Sequence, residues 1–421
     1  MVCACFSGLT IYYKGLAVLM PAKRTIMVVG GGVIGLTTAY ALIQAGHSVT
    51  LVERDEHVGE QASFGNGGQL SYRYVRPLAD AGIPIDALSW IFQADSPISL
   101  KPRLDWHQWR WLTDFLLACN SRTNKANTAR LLKLALQGQQ ALHQWQQEGL
   151  ADFLWRQPGK LVVYRNAKKF SKAARSVSNP EQEQVLTAGE CAQVEPAFAG
   201  LVPALAGGIF SPDDEVADCY LFCQALLNAL RQSPEFQLVN GVATFEEDQG
   251  DRCRVRINGA LHQTDVVVLA AGLASRGMIQ PLGLALPLYG LKGYSLTVEA
   301  DPAVLPDVSV TDYDNRVVYA RLGQRLRIAA MVDIGALNAS LDPRRIASLK
   351  HLAEETLPAA GPYGSAAAWA GMRPATPTGV PLVERTQWRN LLLNVGHGAW
   401  GFTLSCGSAM TIRDLVEEMH P

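Results

Sequence analysis

The sequence predicts an α/β chain, α+β overall, in which a parallel-sheet domain assembled from separated segments carries an inserted mixed-sheet domain. Three observations predict it. A strand–glycine turn–helix–strand unit opens the folded region, strands and helices alternate again towards the C-terminus, and the middle mixes long helices with short strands.

The first unit begins at Arg24. RTIMVVG reads as a buried strand, GGVIG as a tight turn, VIGLTTAYALIQA as a helix and SVTLVE as a second strand. Leu131, Leu134, Ala135, Leu142 and Trp145 fall near one face of a helix over residues 125–147. KLVVY at 160–164 reads as a strand and DCYLFCQALLNALRQ at 218–232 as a helix. VATFEE, CRVRI and DVVVLAAG follow as strands; NLLLNVG is a further buried strand, with a helix starting around Thr403. The implied division assigns 24–75, 186–280 and 366–421 to the parallel-sheet domain, and 76–185 with 281–365 to the inserted one.

Composition bounds the function. Of 421 residues 48% are hydrophobic and 18% charged, and 37 basic against 38 acidic side chains leave a formal net charge of −1. Without a basic excess there is no field to meet phosphates, which argues against nucleic acid as a partner. Eight cysteines show no CxxC pair and no paired Cys/His spacing, so no metal site is expected and a reduced, cytoplasmic setting fits. Residues 5–20 are apolar but short and interrupted by Lys14. Residues 1–23 read as an extension upstream of the fold or as a short membrane-contacting anchor.

Gly30, Gly32 and Gly35 form G-x-G-x-x-G between strand and helix, and Glu53 ends the second strand. Gly30 permits the turn, Gly32 lets backbone approach a pyrophosphate, and Gly35 lets the helix pack closely. The phosphates would sit on the helix N-terminus, and Glu53 would accept from the ribose hydroxyls while repelling a 2′-phosphate. The pattern is Rossmann-like and disfavours NADP, but it does not separate FAD from NAD. Three later features in order favour a flavin: the glycine-rich SFGNGGQLS at 63–71, DVVVLAAG at 265–272, a strand ending in a small-residue turn, and GHGAWGFTLS at 396–405, which joins a strand to a helix. That helix N-terminus would stabilise the negative charge on a reduced flavin's pyrimidine edge.

At these residues the chain resembles the FAD-dependent D-amino acid oxidase superfamily, and more narrowly the bacterial D-amino acid dehydrogenases. SPDDEVADCYLF, LKGYSLTVE, WAGMRPATPTGVPLVER and NLLLNVGHGAWGFTLSCGS extend the likeness from about residue 26 to 416. The resemblance implies a two-domain fold of the D-amino acid oxidase type with non-covalent FAD. It also implies oxidation of a D-amino acid through an imine to a 2-oxo acid and ammonia, with D-proline and D-hydroxyproline as compatible as D-alanine. Electrons would pass to a quinone or other respiratory-chain acceptor, at the inner face of the cytoplasmic membrane if the chain touches it. The alternatives are a glycine- or sarcosine-type oxidase using oxygen, or a non-catalytic flavin-carrying subunit.

Site residues follow from the same match. Arg373 in GMRP is expected to clamp the substrate carboxylate, with Tyr294 and Tyr319 lining the pocket. The expected FAD envelope is Gly30, Gly32, Val33, Ile34, Gly35, Glu53 and Arg54, then Ser63, Asn66, Gly67, Gly68, Gln69 and Leu70. Val242, Ala271, Gly272, Gly398, Gly401, Phe402 and Thr403 complete it. His397 reads as a structural histidine, and Cys219 and Cys223 as small buried residues. Ala329-Ala330 stands where relatives commonly carry Gly-Gly, and Arg73 and Arg76 where many carry small or neutral residues.

Overall fold

The run TIMVV forms a strand buried at four of its five positions, as the centre of a parallel sheet covered on both faces requires. It opens the fold in a computed structural model that describes residues 22–80, 82, 96–246 and 253–419. The expected N-terminal extension lies outside the described residues except for its last two positions.

In chain order the elements begin with β1 (Thr25–Val29), α1 (Val33–Gln44), β2 (Ser48–Glu53), β3 (Gln69–Leu70), β4 (Ile98–Leu100), α2 (Trp106–Ala118) and α3 (Ser121–Gln147). Next come β5 (Lys160–Tyr164), α4 (Ala167–Ala174), β6 (Gln184–Leu186), α5 (Ala188–Val194), β7 (Gly207–Ser211), β8 (Glu215–Val216) and α6 (Cys219–Leu230). They continue with β9 (Phe236–Asn240), β10 (Ala243–Phe245), β11 (Cys253–Ile257), β12 (Ala260–Thr264), β13 (Val266–Leu269) and α7 (Ser275–Met278). The remainder are β14 (Tyr289–Glu299), β15 (Ser309–Asp312), β16 (Val317–Leu322), β17 (Arg325–Ile334), α8 (Pro343–Thr356), β18 (Ala367–Ala375), β19 (Leu382–Arg385), β20 (Leu391–Val395) and α9 (Gly401–Glu417).

The first sheet has the order β19-β20-β13-β1-β2-β9, parallel except at β19. A small antiparallel meander, β10-β11-β12, stands beside it. The second large sheet runs β18-β14-β17-β16-β15-β5-β7-β6, with β4 added beside β17. The two-part, Rossmann-like architecture read from the sequence is therefore present.

Pairing redraws the segment boundaries. β7 and β18 hydrogen-bond into the second sheet, although 186–280 and 366–421 were assigned to the first domain. Conversely α3 packs on the first core: Leu131, Ala135, Leu142 and Trp145 share a cluster with α1 and α9. Trp145 meets Tyr40 of α1 edge to face at 4.9 Å. The crossing of α3 and α9 is close because Gly407 carries no Cβ; one built there would lie 2.0 Å from the Leu134 carbonyl oxygen. The α3 face matches the predicted periodicity, and the helix starts at Ser121 because Asn120 caps it by accepting from the Thr123 N–H at 2.9 Å.

Candidate active site

A cavity of about 1050 Å³ extends from the C-terminal ends of β1 and β2 to the second sheet. That edge of a parallel sheet is where open α/β folds bind ligands. Gly30 holds φ +113° there, and a Cβ on it would lie 2.5 Å from the Ala270 carbonyl oxygen. A Cβ on Gly35 would lie 1.7 Å from the Gly30 carbonyl oxygen, so only glycine lets α1 start against the turn. The Gly32 N-cap offers no side-chain cap, and the Val33 N–H donates to Ser63 Oγ at 3.1 Å. Glu53 accepts the Gly31 and Asp55 N–H groups, one on each carboxylate oxygen, and each oxygen keeps a lone pair for a ribose hydroxyl.

At the other end, α9 also begins without a side-chain cap, and Gly398, Gly401 and Phe402 line the cavity. Two helix N-termini without an N-cap side chain open onto one elongated cavity, so both favour an anionic ligand group there. An FAD would fit this arrangement: the α1 N-terminus would hold a pyrophosphate, and the α9 N-terminus would favour negative charge on a flavin.

Of the expected cofactor residues, Gly30, Gly32, Val33, Ile34, Glu53, Arg54, Ser63, Asn66, Gly67 and Gln69 line the cavity, as do Val242, Ala271, Gly272, Gly398, Gly401 and Phe402. Four do not. Gly35 packs α1 on its strand, and Gly68 turns away towards Leu322 and the Ala217 carbonyl. Leu70 belongs to the first core, the next residue along β3 after the cavity-facing Gln69. Thr403 Oγ1 accepts the Ser71 N–H at 3.1 Å, tying the flavin loop to α9 from behind.

Arg373 lies on β18, opposite Leu291 of β14. Beside it, two residues of β17, Met331 and Val332, oppose Gly293 alone, a β-bulge. Met331 adopts φ +67° in this bulge, and its carbonyl accepts from Arg373 Nη1 at 3.0 Å. Gly293 leaves the space the guanidinium fills, since a Cβ there would lie 2.2 Å from Arg373 Cζ. Burial lowers the Arg373 pKa to about 10, so it stays cationic at neutral pH. Among the described residues no carboxylate comes within ion-pair distance of it. A half-buried cation without an anion is costly, which marks this as a place for one.

Two expectations need correction. Tyr294 and Tyr319 do not line the cavity; both are buried in the core of the second sheet. Strand alternation is the reason. Tyr319 faces Ile328, whereas the neighbouring pair Val318 and Ala329 faces the cavity. Tyr294 donates its hydroxyl to Asp333 at 2.8 Å.

His397 lines the cavity and is buried; its Nε2 lies 2.8 Å from Ser408 Oγ, and burial depresses its pKa to about 3. Cys219 and Cys223 are buried free thiols, and burial pushes the Cys219 pKa well up. Ala329 and Ala330 line the cavity, and a Cβ on Gly67 would lie 3.3 Å from that of Ala329. The wall also contains Tyr74, Arg76, Lys160, Trp369 and Trp400. Of these the sequence marks Arg76, as a departure that bears on the substrate; it does not place the other four in the site. Lys160 did carry a signal, a lysine opening an otherwise apolar, fully buried strand.

Residues 25–415 match the family of FAD dependent oxidoreductases. The chain is 48% identical over 402 residues to D-amino acid dehydrogenase 2 of Pseudomonas aeruginosa, covering 94% of this chain and 96% of that protein. It is 42% identical to D-amino acid dehydrogenase 2 of Ralstonia nicotianae, covering 94% and 97%. Among solved structures, glycine oxidase from Geobacillus kaustophilus superposes with a TM-score of 0.73 at 22% identity, over 95% of this chain and 96% of that one. L-proline dehydrogenase from P. horikoshii gives 0.72 at 14% identity, over 94% of each chain. At these identities the structural likeness speaks for the fold alone.

Proposed function

The chain belongs to the FAD-dependent oxidoreductase family, and from that premise we propose that it oxidises D-amino acids at the Cα–N bond and passes the electrons to a quinone-type acceptor. The observation that carries the substrate reading is Arg373, a half-buried guanidinium in the cavity wall with no carboxylate within ion-pair distance among the described residues. The names of the curated relatives support the stereochemistry and the dehydrogenase class.

Bound FAD supplies the two-electron, hydride-accepting centre. The residues do the rest. Arg373 takes both oxygens of the substrate carboxylate in its planar fork, with one arm already fixed by the Met331 carbonyl. Fixing the carboxylate leaves only rotation about its bond to Cα to set the direction of the Cα–H, which is much of the positional part of catalysis. The cationic wall disfavours a second positive charge, so it favours loss of the proton from the substrate ammonium. His397 stays neutral and holds the 396–401 turn through Ser408. Trp369 and Trp400 contribute apolar walls that limit water around the reacting atoms. Removal of a hydride and a proton gives the imine, which water hydrolyses to a 2-oxo acid and ammonia. Cyclic D-amino acids such as D-proline carry the same Cα–H beside a secondary amine; their oxidation gives a cyclic imine, whose hydrolysis opens the ring to an amino-2-oxo acid without releasing ammonia.

One surface feature supports an acceptor at the inner face of the cytoplasmic membrane. No helix among the described residues is long and apolar enough to cross a membrane. On α2, however, Trp106, Trp109, Leu116 and Leu117 are 79%, 45%, 53% and 72% exposed, on the face opposite buried Trp111 and Phe115. An exposed stripe with tryptophans and the neighbouring Arg110 suits the headgroup boundary. The test is reoxidation of the substrate-reduced enzyme. Rapid electron transfer to a quinone analogue and slow reaction with oxygen are expected; reoxidation in air that keeps pace with turnover favours the oxidase alternative instead.

A further inference from the structure

The cavity holds positive charge beyond what one α-carboxylate consumes. Lys160 is 2% exposed and its ammonium donates to Ser71 Oγ at 2.7 Å. It lies 4.7 Å from the Tyr74 ring centre and 6.0 Å from that of Trp400. The Arg76 guanidinium lies 5.4 Å from the same Tyr74 ring, and the Arg76 carbonyl accepts the Trp400 indole N–H at 3.0 Å. Tyr74, Arg76, Lys160 and Trp400 thus form one corner, and all four line the cavity that Arg373 lines. Trp400 belongs to the turn whose His397 bridges Ala375, two residues beyond Arg373.

No described acid pairs directly with this corner. Among the described residues, neither Arg76 nor Lys160 has a carboxylate within ion-pair distance. Asp214 lies behind Lys160, with its Oδ1 accepting the Tyr72 and Arg73 N–H groups. Burial pushes the Asp214 carboxyl up, away from the charged form, and pushes Lys160 down, while each opposes the shift of the other. Glu183 faces Arg73 and Arg76; burial raises its pKa, and the two guanidiniums oppose that rise. Elsewhere on the wall, Lys169 is paired with Asp314 at 3.0 Å and Lys172 with Asp80 at 3.6 Å. The surplus therefore sits at Lys160 and Arg76. A neutral side chain placed there would leave the buried Lys160 without a counter-charge, whereas a carboxylate would compensate it and could also reach the half-buried Arg76.

We propose that the corner formed by Lys160, Arg76, Tyr74 and Trp400 receives an acidic side chain, so that the preferred substrates are dicarboxylic D-amino acids. Arg373 binds the α-carboxylate and the corner binds the distal one. This rests on the reading of the site as a D-amino acid dehydrogenase site.

The test compares acids with their isosteric amides. Purified holoenzyme is assayed with D-glutamate against D-glutamine and D-aspartate against D-asparagine, using an artificial acceptor. One or two charge-assisted hydrogen bonds predict kcat/KM for at least one acid roughly 10- to 100-fold above its amide. Lys160→Met and Arg76→Met should each shrink that ratio towards one, and Lys160→Arg, which keeps the charge, should retain most of it. An acid-to-amide ratio of one or below in the unmodified enzyme for both pairs overturns the proposal, whatever the variants do. If the amides or D-alanine then reduce the flavin, the D-amino acid reading survives alone. If no D-amino acid reduces it, both fall.

Discussion

Arg373 concentrates the account at the scale of one residue. Two charge-assisted hydrogen bonds in a dry pocket, each worth about 1.5–3 kcal/mol, set the cost of removing it. Arg373→Ala should lower kcat/KM for D-amino acids by several hundred-fold, or about 4 kcal/mol. Arg373→Lys should recover only part of this, because the fork is lost while the charge remains. FAD content should match the parent protein in both variants; near-normal efficiency in Arg373→Ala would remove the clamp from the account. His397 yields a second prediction, on stability. Its folded pKa of about 3 lies below the ordinary value near 6.5, so only the unfolded chain binds its proton between those pH values. Its contribution is complete above about pH 6.5 and is lost as pH falls towards 3, roughly 2 kcal/mol of it by pH 5. Raised carboxyl pKa values elsewhere, as at Asp214 and Glu195, act in the opposite sense, so the informative quantity is a difference. Thermal unfolding at pH 7 and pH 5 should show a smaller acid-induced loss in His397→Gln than in the parent.

Elements explain which parts of the site were legible in the sequence. Local turn chemistry was readable: Gly30, Gly32 and the 396–402 segment appear in the cavity wall because each sits where a strand hands over to a helix, and Glu53 because it ends its strand at the same sheet edge. Periodicity located α3, whose Leu131, Ala135, Leu142 and Trp145 are buried together. Tyr294 and Tyr319 failed because strand residues alternate between faces, and the facing one is fixed by pairing partners distant in sequence. The bulge at Gly293 that positions Arg373 depends in the same way on β17, and no local signal announces it. The Lys160 corner joins β5, the segment after β3 and the turn before α9, three stretches that only the fold brings together. Helix α2 gives the prediction of this scale. Trp106→Glu combined with Trp109→Glu should abolish binding to vesicles containing anionic lipid, measured by sedimentation, while turnover with a soluble acceptor persists. Unchanged sedimentation would assign the exposed face another partner, such as a second copy of the chain.

At the scale of the whole molecule, the two sheets divide the work. The parallel sheet and its helices offer backbone N–H groups, Glu53 and bare glycine surface to a dinucleotide, whereas the second sheet offers cations and aromatic rings to a small acid. Their joint cavity was legible only as an order of motifs along the chain; the assignment of β7, β18 and α3 was not, because non-local pairing and packing decide it. The central claim is that this cavity brings FAD and a D-amino acid together, and anaerobic mixing tests it most directly. Purified protein, with its flavin content determined after acid release, is mixed without oxygen with matched D- and L-amino acids, acidic and neutral, while the oxidised-flavin absorbance is followed. The account predicts close to one FAD per chain, bleached by D-amino acids and left oxidised by their L-enantiomers. Bleaching by the L-series alone, or a flavin that no amino acid reduces, would contradict it.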